Sequence, residues 1–285
     1  MCYYITVITN YHENKKTEDR EMKKFVALTL ALLMVFALCA CGDKPAPENK
    51  TFTIGIDPEY PPFSYLGDDG EYAGFDVETC KAACEKLGWE FKVFEVNWDQ
   101  KLIQLDAGEC DCVWAGMTLL PSMKEAGYVL SDPYFDNSQV MMVKEGSDIK
   151  SSADLAGKVV GVMLGTSGES MLAEDGDQAA LAATFGKLVT CESFLKCFAE
   201  LGGGGVDCVI VDKPVADAYA SSNAGFVVLD ELLGTEQYGI AFRSGDQALC
   251  DEIEGAVAEL VKDGTYAKIA EKYPDINPDA LLLLK

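Results

Sequence analysis

The sequence predicts a mixed α/β protein made of two similar lobes. Stretches typical of strands alternate with stretches of helical period, a pattern that favours mostly parallel sheets with helical crossovers. The phrase Gly-x-x-Asp-Cys-Val occurs twice, at 108–113 and 204–209, each time after a helical stretch. Two extended runs, at 137–143 and 236–242, stand where the chain would pass between the lobes. We therefore expect two lobes joined by two crossover strands.

The elements of each lobe follow one another in order. In the first lobe we expect strands at 51–57, 91–96 and 111–115 and helices at 75–87 and 99–107. In the second we expect a strand at 158–163, a loop at 165–168 and a helix from Glu169 onward. The tail at 251–273 has helical period and should return to the first lobe. Lobe 1 then comprises 51–136 plus 243–285, and lobe 2 comprises 144–235.

Charge narrows the range of functions. The 285 residues include 47 acidic and 23 basic side chains, a net charge of −24. Such a chain repels phosphate backbones, which excludes nucleic acid as a partner. The single histidine, His12, precedes the predicted mature domain, so a Ser-His-Asp triad or a His-ligated zinc is excluded. We expect no metal and no cofactor, and a binding role rather than hydrolysis.

The residues before the first lobe are predicted to be a secretion signal and a tether. Met22-Lys23-Lys24 precede an apolar run of about 14 residues and the small-residue exit Cys39-Ala40-Cys41. The run is shorter than the roughly 20 residues that span a bilayer. The exit resembles the lipobox of bacterial lipoproteins, which implies lipidation of Cys41. We assign 22–40 to the signal and 41–50 to the tether, and interpret 1–21 as an upstream extension from a wrongly assigned start; a cytoplasmic extension before an uncleaved anchor is the alternative.

Eight cysteines remain in the mature chain, and we expect them to be reduced thiols of the core. Cys80 and Cys84 are four residues apart on one helical face, so their Cβ atoms lie ~5–6 Å apart, beyond the ~3.8 Å of a disulfide. No Cys-x-x-Cys motif occurs. Their disulfide status stays open, with Cys191–Cys197 as the first candidate for a bridge.

Short motifs occur in order along residues 51–275. They are GIDPEYPPF at 55–63, GFD at 74–76, NWD at 97–99, AGMT at 115–118, SDPY at 131–134, GTSGE at 165–169, DKPV at 212–215 and YGI at 238–240. The series resembles the bacterial solute-binding proteins that supply polar amino acids to ABC importers. The resemblance implies the type II fold of periplasmic binding proteins, hinge closure on a small ligand and an ABC permease as partner. It also implies a lipid-anchored, extracytoplasmic binder, which we expect to be a monomer and not an enzyme.

A zwitterionic amino acid needs one site for its carboxylate and one for its ammonium group. Thr166-Ser167-Gly168 at a helix start offers backbone N–H groups to a carboxylate, although a plain N-capped loop has the same sequence. Gly116 and Thr118 end a buried strand, where backbone and hydroxyl can reach the ligand. Asp212 ends the matching strand of lobe 2, and the resemblance implies that it accepts the ammonium.

The remaining candidates concern the ligand's side chain. The resemblance implies that Tyr60 and Trp98 wall the ligand, although ordinary core packing predicts the same aromatic residues. Asp57 and Asp76 match positions that line the side-chain pocket in binders of basic amino acids, with Glu59 as a third acid. A helix N-cap is an equal alternative for Asp76. The expected ligand is a polar or basic amino acid or a close analogue.

One position departs from the family pattern. The arginine that the resemblance places five residues after Thr118, to pair with the α-carboxylate, is Met123 here. Lys124 can supply the charge instead, or the ligand lacks a conventional α-carboxylate. Two other functions stay open as alternatives: an enzyme on the same fold, similar to cyclohexadienyl dehydratase, and a ligand-sensing lipoprotein without transport.

Overall fold

A computed structural model describes residues 50–285 of the chain. The predicted upstream extension, the predicted signal, the predicted lipidation site Cys41 and nearly all of the predicted tether lie outside the described residues. Within 50–285, no helix is long and apolar enough to cross a membrane. The same residues contain no cluster of His, Cys, Asp and Glu that could hold a metal ion.

Strands and helices alternate along the described chain. The strands are β1 Thr51–Ile56, β2 Glu59–Tyr60, β3 Ser64–Leu66, β4 Tyr72–Ala73, β5 Glu90–Glu95, β6 Cys112–Thr118, β7 Val129–Leu130, β8 Phe135–Lys144, β9 Val159–Met163, β10 Lys187–Cys191, β11 Cys208–Asp212, β12 Phe226–Val228 and β13 Gly234–Phe242. The α-helices are α1 Phe75–Leu87, α2 Lys101–Asp106, α3 Pro121–Glu125, α4 Ser167–Leu172, α5 Ala179–Ala182, α6 Phe194–Gly203, α7 Lys213–Ser222, α8 Gln247–Lys262 and α9 Thr265–Ala270. Short 3₁₀ turns occur at Trp98–Gln100, Ser152–Leu155, Pro278–Ala280 and Leu282–Leu284.

Eight strands form one continuous path in the order β10-β9-β11-β8-β13-β6-β1-β5. The outer trios, β10-β9-β11 and β6-β1-β5, are parallel, as alternating strands and helices predict. Between them β8 and β13 run antiparallel to each other and to their neighbours β11 and β6. These two long strands contain both predicted crossovers, 137–143 and 236–242. Their mutual pairing joins the two expected lobes through a single sheet.

The helix α1 has the predicted bounds. It begins after Gly74, whose φ of +121° suits glycine, and ends at Gly88 in the left-handed conformation. Its buried face carries Val77, Cys80 and Cys84, as the helical period predicts. The C-terminal helix α8 packs against this helix, so the tail returns to the first lobe.

All eight cysteines of the described chain are free and buried. Burial raises the pKa of the Cys110 thiol to about 11 and that of Cys208 to about 12, so both are protonated at neutral pH. Cys80 and Cys84 lie within the same apolar cluster as the aromatic residues of lobe 1. The cysteines therefore act as small apolar residues of the core, as expected.

Candidate functional site

Seven of the eleven predicted ligand-binding residues, from both lobes, meet at one cleft. This central cleft is lined by Tyr60, Trp98, Lys101, Gly116, Met117, Thr118, Leu120, Met123, Gly165, Thr166, Ser167 and Asp212. It lies at the carboxyl ends of β6, β9 and β11, where parallel α/β sheets place their ligand sites. Its free volume is about 30 Å³, room for one or two water molecules and too little for an amino acid. An amino acid bound here would therefore need a cleft wider than the one in this structure.

Asp212 is a buried carboxylate surrounded by neutral donors. Its Oδ1 accepts hydrogen bonds from Asn137 Nδ2 at 2.6 Å, Gln139 Nε2 at 2.7 Å and Tyr238 Oη at 2.8 Å. The same two amides donate to Glu236 Oε1, which brings a second carboxylate close. Burial, and then the charge of Glu236, raises the pKa of Asp212 to about 7. No lysine or arginine within 50–285 forms an ion pair with Asp212.

Gly116 makes room for the aromatic wall of the cleft. Its φ is +57°, and a Cβ atom here would lie 2.4 Å from Cε1 of Tyr60. The Tyr60 hydroxyl lies 2.8 Å from that of Tyr238, the donor to Asp212. The ring of Trp98 stacks on Tyr60 with 6.4 Å between centroids. A side chain at Gly116 would therefore displace the aromatic ring that supports the Asp212 site.

The loop before α4 faces β6 across the cleft. The Thr166 hydroxyl donates to Met163 O at 2.7 Å and caps α4 by accepting from Glu169 N, so the plain N-cap predicted as an alternative is present. Ser167 Oγ accepts from Thr118 Oγ1 at 3.3 Å and from Gln139 at 3.2 Å. The backbone N–H groups of 166–168 find no acceptor within residues 50–285. Gly168 is buried beside Gln139.

Lys101 is a lysine in the central cleft that sequence reasoning missed. Its side chain is buried, and Nζ donates to Trp98 O at 3.0 Å and to Gly165 O at 2.8 Å. Burial lowers the pKa of Lys101 to about 8. It is the one cation that lines the central cleft in the described part of the chain. The available signal was periodicity, because Lys101 and Leu105 share the buried face of α2.

A second cavity of about 430 Å³ opens beyond Trp98. It includes Asp57, Glu59, Asp99, Glu192 and Lys196 among its lining residues. Asp57 is buried and accepts from Glu59 N at 2.8 Å. Burial raises the pKa of Asp57 to about 6. We call this space the Asp57 cavity; Trp98 lines both it and the central cleft.

Two predicted residues lie elsewhere. Asp76 neither lines the cleft nor caps α1, whose N-cap is Gly74. Its Oδ2 accepts from Gly116 N and from Tyr134 Oη, both at 2.6 Å, because residues 40 positions apart meet in the core. Lys124 is exposed on α3 and is not among the cleft-lining residues. Its neighbour Met123 is buried and does line the cleft, since α3 turns that residue inward.

Residues of the crossover strands complete the site. Sequence reasoning treated β8 and β13 only as hinges, whereas Asn137 and Gln139 on β8 and Glu236 and Tyr238 on β13 surround Asp212. Alternate positions of a strand share one face, so the pairs 137/139 and 236/238 carried a signal. That these residues surround Asp212, at the end of β11, could be known only from the order of the strands in the sheet.

The family is decided by comparison with known proteins. A family model described as bacterial extracellular solute-binding proteins, family 3, matches residues 52–275. This chain belongs to that family. The predicted fold class, a two-lobed type II periplasmic binding protein with two crossover strands, is confirmed by the sheet order and by solved relatives.

Relatives of this solute-binding protein are named as binding proteins. The L-cystine-binding protein TcyJ of Escherichia coli (strain K12) is 33% identical over 229 residues, which cover 79% of this chain and 83% of that protein. The arginine-binding extracellular protein ArtP of Bacillus subtilis (strain 168) is 32% identical over 259 residues, covering 88% and 98%. The solved structure of an ancestral arginine-binding protein bound to arginine has a TM-score of 0.71 and 38% identity, covering 79% of this chain and 98% of that one.

Proposed function

We propose that this solute-binding protein captures a polar or basic amino acid, or a close analogue, for import. The observation that carries the proposal is Asp212, a buried carboxylate on the cleft whose hydrogen-bond donors are all neutral. A buried anion without a cation is unfavourable unless a positive group arrives. The ammonium group of an amino acid supplies that charge and forms charge-assisted hydrogen bonds.

The opposite wall of the cleft suits a carboxylate. Unpartnered N–H groups at 166–168 and the hydroxyls of Thr118 and Ser167 face the cleft from the two lobes. When the lobes separate, the Thr118–Ser167 hydrogen bond breaks and both hydroxyls can bind a ligand oxygen. Amino-acid binding then replaces a contact between the lobes with two contacts to the ligand, which favours closure around it.

The Asp57 cavity favours a basic or polar side chain. Its walls include the carboxylates of Asp57, Glu59, Asp99 and Glu192 and a single lysine, Lys196. A ligand whose ammonium group lies at Asp212 would extend its side chain past Trp98, which separates the two spaces. Two relatives are named for arginine and L-cystine, and both of these compounds carry a positive group in addition to one α-ammonium and one α-carboxylate, which supports this choice of class.

The sequence and the family support a proposal for the location and the partner. The signal at 22–40 and lipidation of Cys41 would hold the protein on the outer face of the cell membrane, beside the permease. Replacing Cys41 by Ala should release the protein from washed membranes into the medium, whereas Cys39→Ala should leave it bound. We propose a monomeric binder that does not alter its ligand.

The proposal is tested by thermal denaturation with the twenty amino acids, L-cystine and L-ornithine. A ligand at 100 times its Kd stabilises the folded state by about 2.7 kcal/mol, which raises the Tm by roughly 5–10 °C for a protein of this size. Mass spectrometry of the recovered ligand distinguishes binding from catalysis. If no compound raises the Tm, the ligand class is wrong; if the recovered ligand has changed mass, the enzyme alternative replaces it.

A further inference from the structure

Lys101 is buried without a carboxylate partner. Within 50–285 no Asp or Glu lies in ion-pair distance of its Nζ atom, which donates to two backbone carbonyls. A lysine ammonium has three donors, so one N–H remains for another acceptor. Buried charges in proteins are normally paired or bound to a ligand. The residue is only 8% exposed and lines the central cleft, so an acceptor can reach it there.

The fold places this ammonium group firmly. Lys101 is the first residue of α2 and shares the buried face with Leu105. Its Nζ lies 4.6 Å from the centroid of the Trp98 ring, within the range of a cation–π contact. The bond to Gly165 O reaches lobe 2. These contacts fix the position of the charge at the junction of the two lobes.

Met123 leaves the cleft without the arginine that the family resemblance implies. Its side chain is buried and lines the same cleft as Lys101. We propose that Lys101 is the specificity-determining cation that binds the ligand's carboxylate in place of that arginine. The inference rests on the proposed function and names the residue that selects carboxylate-bearing ligands.

Charge balance supports the assignment. Asp212 and Lys101 are the two charged residues among those that line the central cleft. A zwitterionic amino acid would neutralise both, whereas a ligand with only an ammonium group would leave Lys101 unpaired on closure. The charged groups that face Lys101 are Asp99 and Glu169, and both oppose the burial that lowers its pKa to about 8. A bound carboxylate acts in the same direction and keeps the lysine protonated.

A purely structural role makes a different prediction. If Lys101 only ties the lobes together through Gly165 O, its removal weakens every ligand equally, because closure itself becomes less favourable. If Lys101 binds the carboxylate, its removal weakens an amino acid far more than the matching carboxamide, which carries no negative charge. The ratio of the two affinities therefore separates the two roles.

The experiment measures Kd by calorimetry for the amino acid that raises the Tm most and for its carboxamide. The wild-type protein should prefer the acid by about tenfold or more, the value of a hydrogen bond to a charged group. Lys101→Met should lose that preference, and Lys124→Ala, an exposed neighbouring charge, should keep it. The double variant K101M/M123R should regain the preference, because the cation returns to the cleft from α3. Lys101→Met with an unchanged acid-to-amide ratio overturns the proposal.

A measurement on the unmodified protein guards against a variant that fails to fold. Between about pH 7 and about pH 8.5 the Kd of the wild-type protein for the free amino acid should rise several-fold as Lys101 loses its proton. The carboxamide is left out of this measurement, because its own α-amine loses a proton at about pH 8. A Kd that stays constant over this range contradicts the assignment. If no amino acid binds at any pH, the proposed function fails and the role of Lys101 fails with it; if amino acids bind and both tests are negative, only Lys101 is excluded.

Discussion

Strands β6 and β11 hold matching places in the two lobes and begin in the same way. Asp111 precedes β6, and its Oδ2 accepts from Thr53 N at 2.8 Å while its own N–H donates to Thr53 O. Asp207 precedes β11 and makes the same pair of contacts with Val159. Each aspartate is followed by a fully buried cysteine, Cys112 or Cys208.

The strands differ five residues later. Counting from the shared aspartate, β6 has Gly116 where β11 has Asp212. The N–H of Gly116 donates to Asp76, and the Tyr60 ring occupies the space that a side chain at Gly116 would fill. The aspartate faces the cleft and accepts from Tyr238, whose hydroxyl lies next to that of Tyr60. Two similar strands thus supply unlike parts of one site: one supplies space and the other supplies charge.

Substituting Gly116, the residue that supplies space, should have the largest effect. Gly116→Ala forces a left-handed residue and a contact of 2.4 Å with Tyr60, so we expect a loss of roughly 2–4 kcal/mol in the free energy of unfolding. Gly108→Ala is the control, since its φ is also positive but nothing lies within 4 Å; it should lose only about 1–2 kcal/mol. Urea denaturation measures both, and equal losses would mean that the space at Gly116 is unimportant.

The role of Asp212 is tested by measuring the affinity of the protein for its ligand. Asp212→Asn keeps the shape of the side chain but not the charge, so binding of the amino acid should weaken by about 1.5–3 kcal/mol while the fold survives. Asp76→Asn is the matched control, because Asp76 is equally buried and lies outside the cleft lining. Calorimetry should find its affinity close to wild type. An unaltered affinity in Asp212→Asn would remove that residue from the site.

The pH dependence sharpens the same contrast. Burial raises the pKa of both Asp76 and Asp212 from 3.8 to about 7. A carboxyl with a raised pKa favours the fold when protonated, so their contribution to the stability of the unliganded protein is complete below about pH 4 and is lost as the pH rises through about 7. The proposed ammonium site needs ionised Asp212, so affinity should fall by up to about tenfold per pH unit below pH 7.

Calorimetry in buffers of different ionisation enthalpy checks this pH dependence by measuring the proton released on binding at pH 6. The release should disappear in Asp212→Asn and persist in Asp76→Asn. Release that survives loss of Asp212 would assign the proton to another group. Thermal melts of both variants without ligand should show a shallower dependence on pH than the wild type.

Substituting Asp111 or Asp207, the aspartates that precede β6 and β11, should have the smallest effect. Asp111→Ala and Asp207→Ala each remove one side-chain acceptor, so we expect losses of about 0.5–1.5 kcal/mol in stability. Asp111 also lies 3.5 Å from Nη2 of Arg243, a pair that adds at most about 1 kcal/mol. Ligand affinity should stay unchanged in both variants. Urea denaturation that finds a difference above ~2 kcal/mol would show that the two starts are not equivalent.

Local structure was predicted best where a single helical period or a repeated motif determined it. The helix α1 has the predicted bounds, and the repeated phrase identifies the starts of β6 and β11. The helix predicted from Glu169 onward, for which the sequence set no end, begins at Ser167 and ends at Leu172. The acidic, glycine-containing turn at 174–177 follows, and such residues favour turns over helix.

Contacts between distant residues could not be predicted in this way. Arg243, which follows the predicted crossover at 236–242, is partly buried and donates to Cys110 O at 2.5 Å. Asp76 was assigned to a cap or a ligand pocket because its partner, Gly116, is remote in sequence. Lys101 was not among the predicted site residues, because a lysine is rarely buried and its carbonyl partner Gly165 O belongs to the opposing lobe.

The pairing of β8 with β13 would make the two ends of the cleft move by different amounts when the lobes rotate. The amides and phenol that hold Asp212 belong to these two strands, at the axis about which the lobes would swing. The Lys101–Gly165 and Thr118–Ser167 contacts reach from one lobe to the other. Rotation about an axis displaces the atoms far from it most and the atoms near it least. The carboxylate of Asp212 can therefore keep its hydrogen-bond donors whether the lobes are apart or together. If Asp212 binds the ligand's ammonium group as proposed, that end of the cleft is organised before the lobes close, and closure assembles only the site for the ligand's carboxylate.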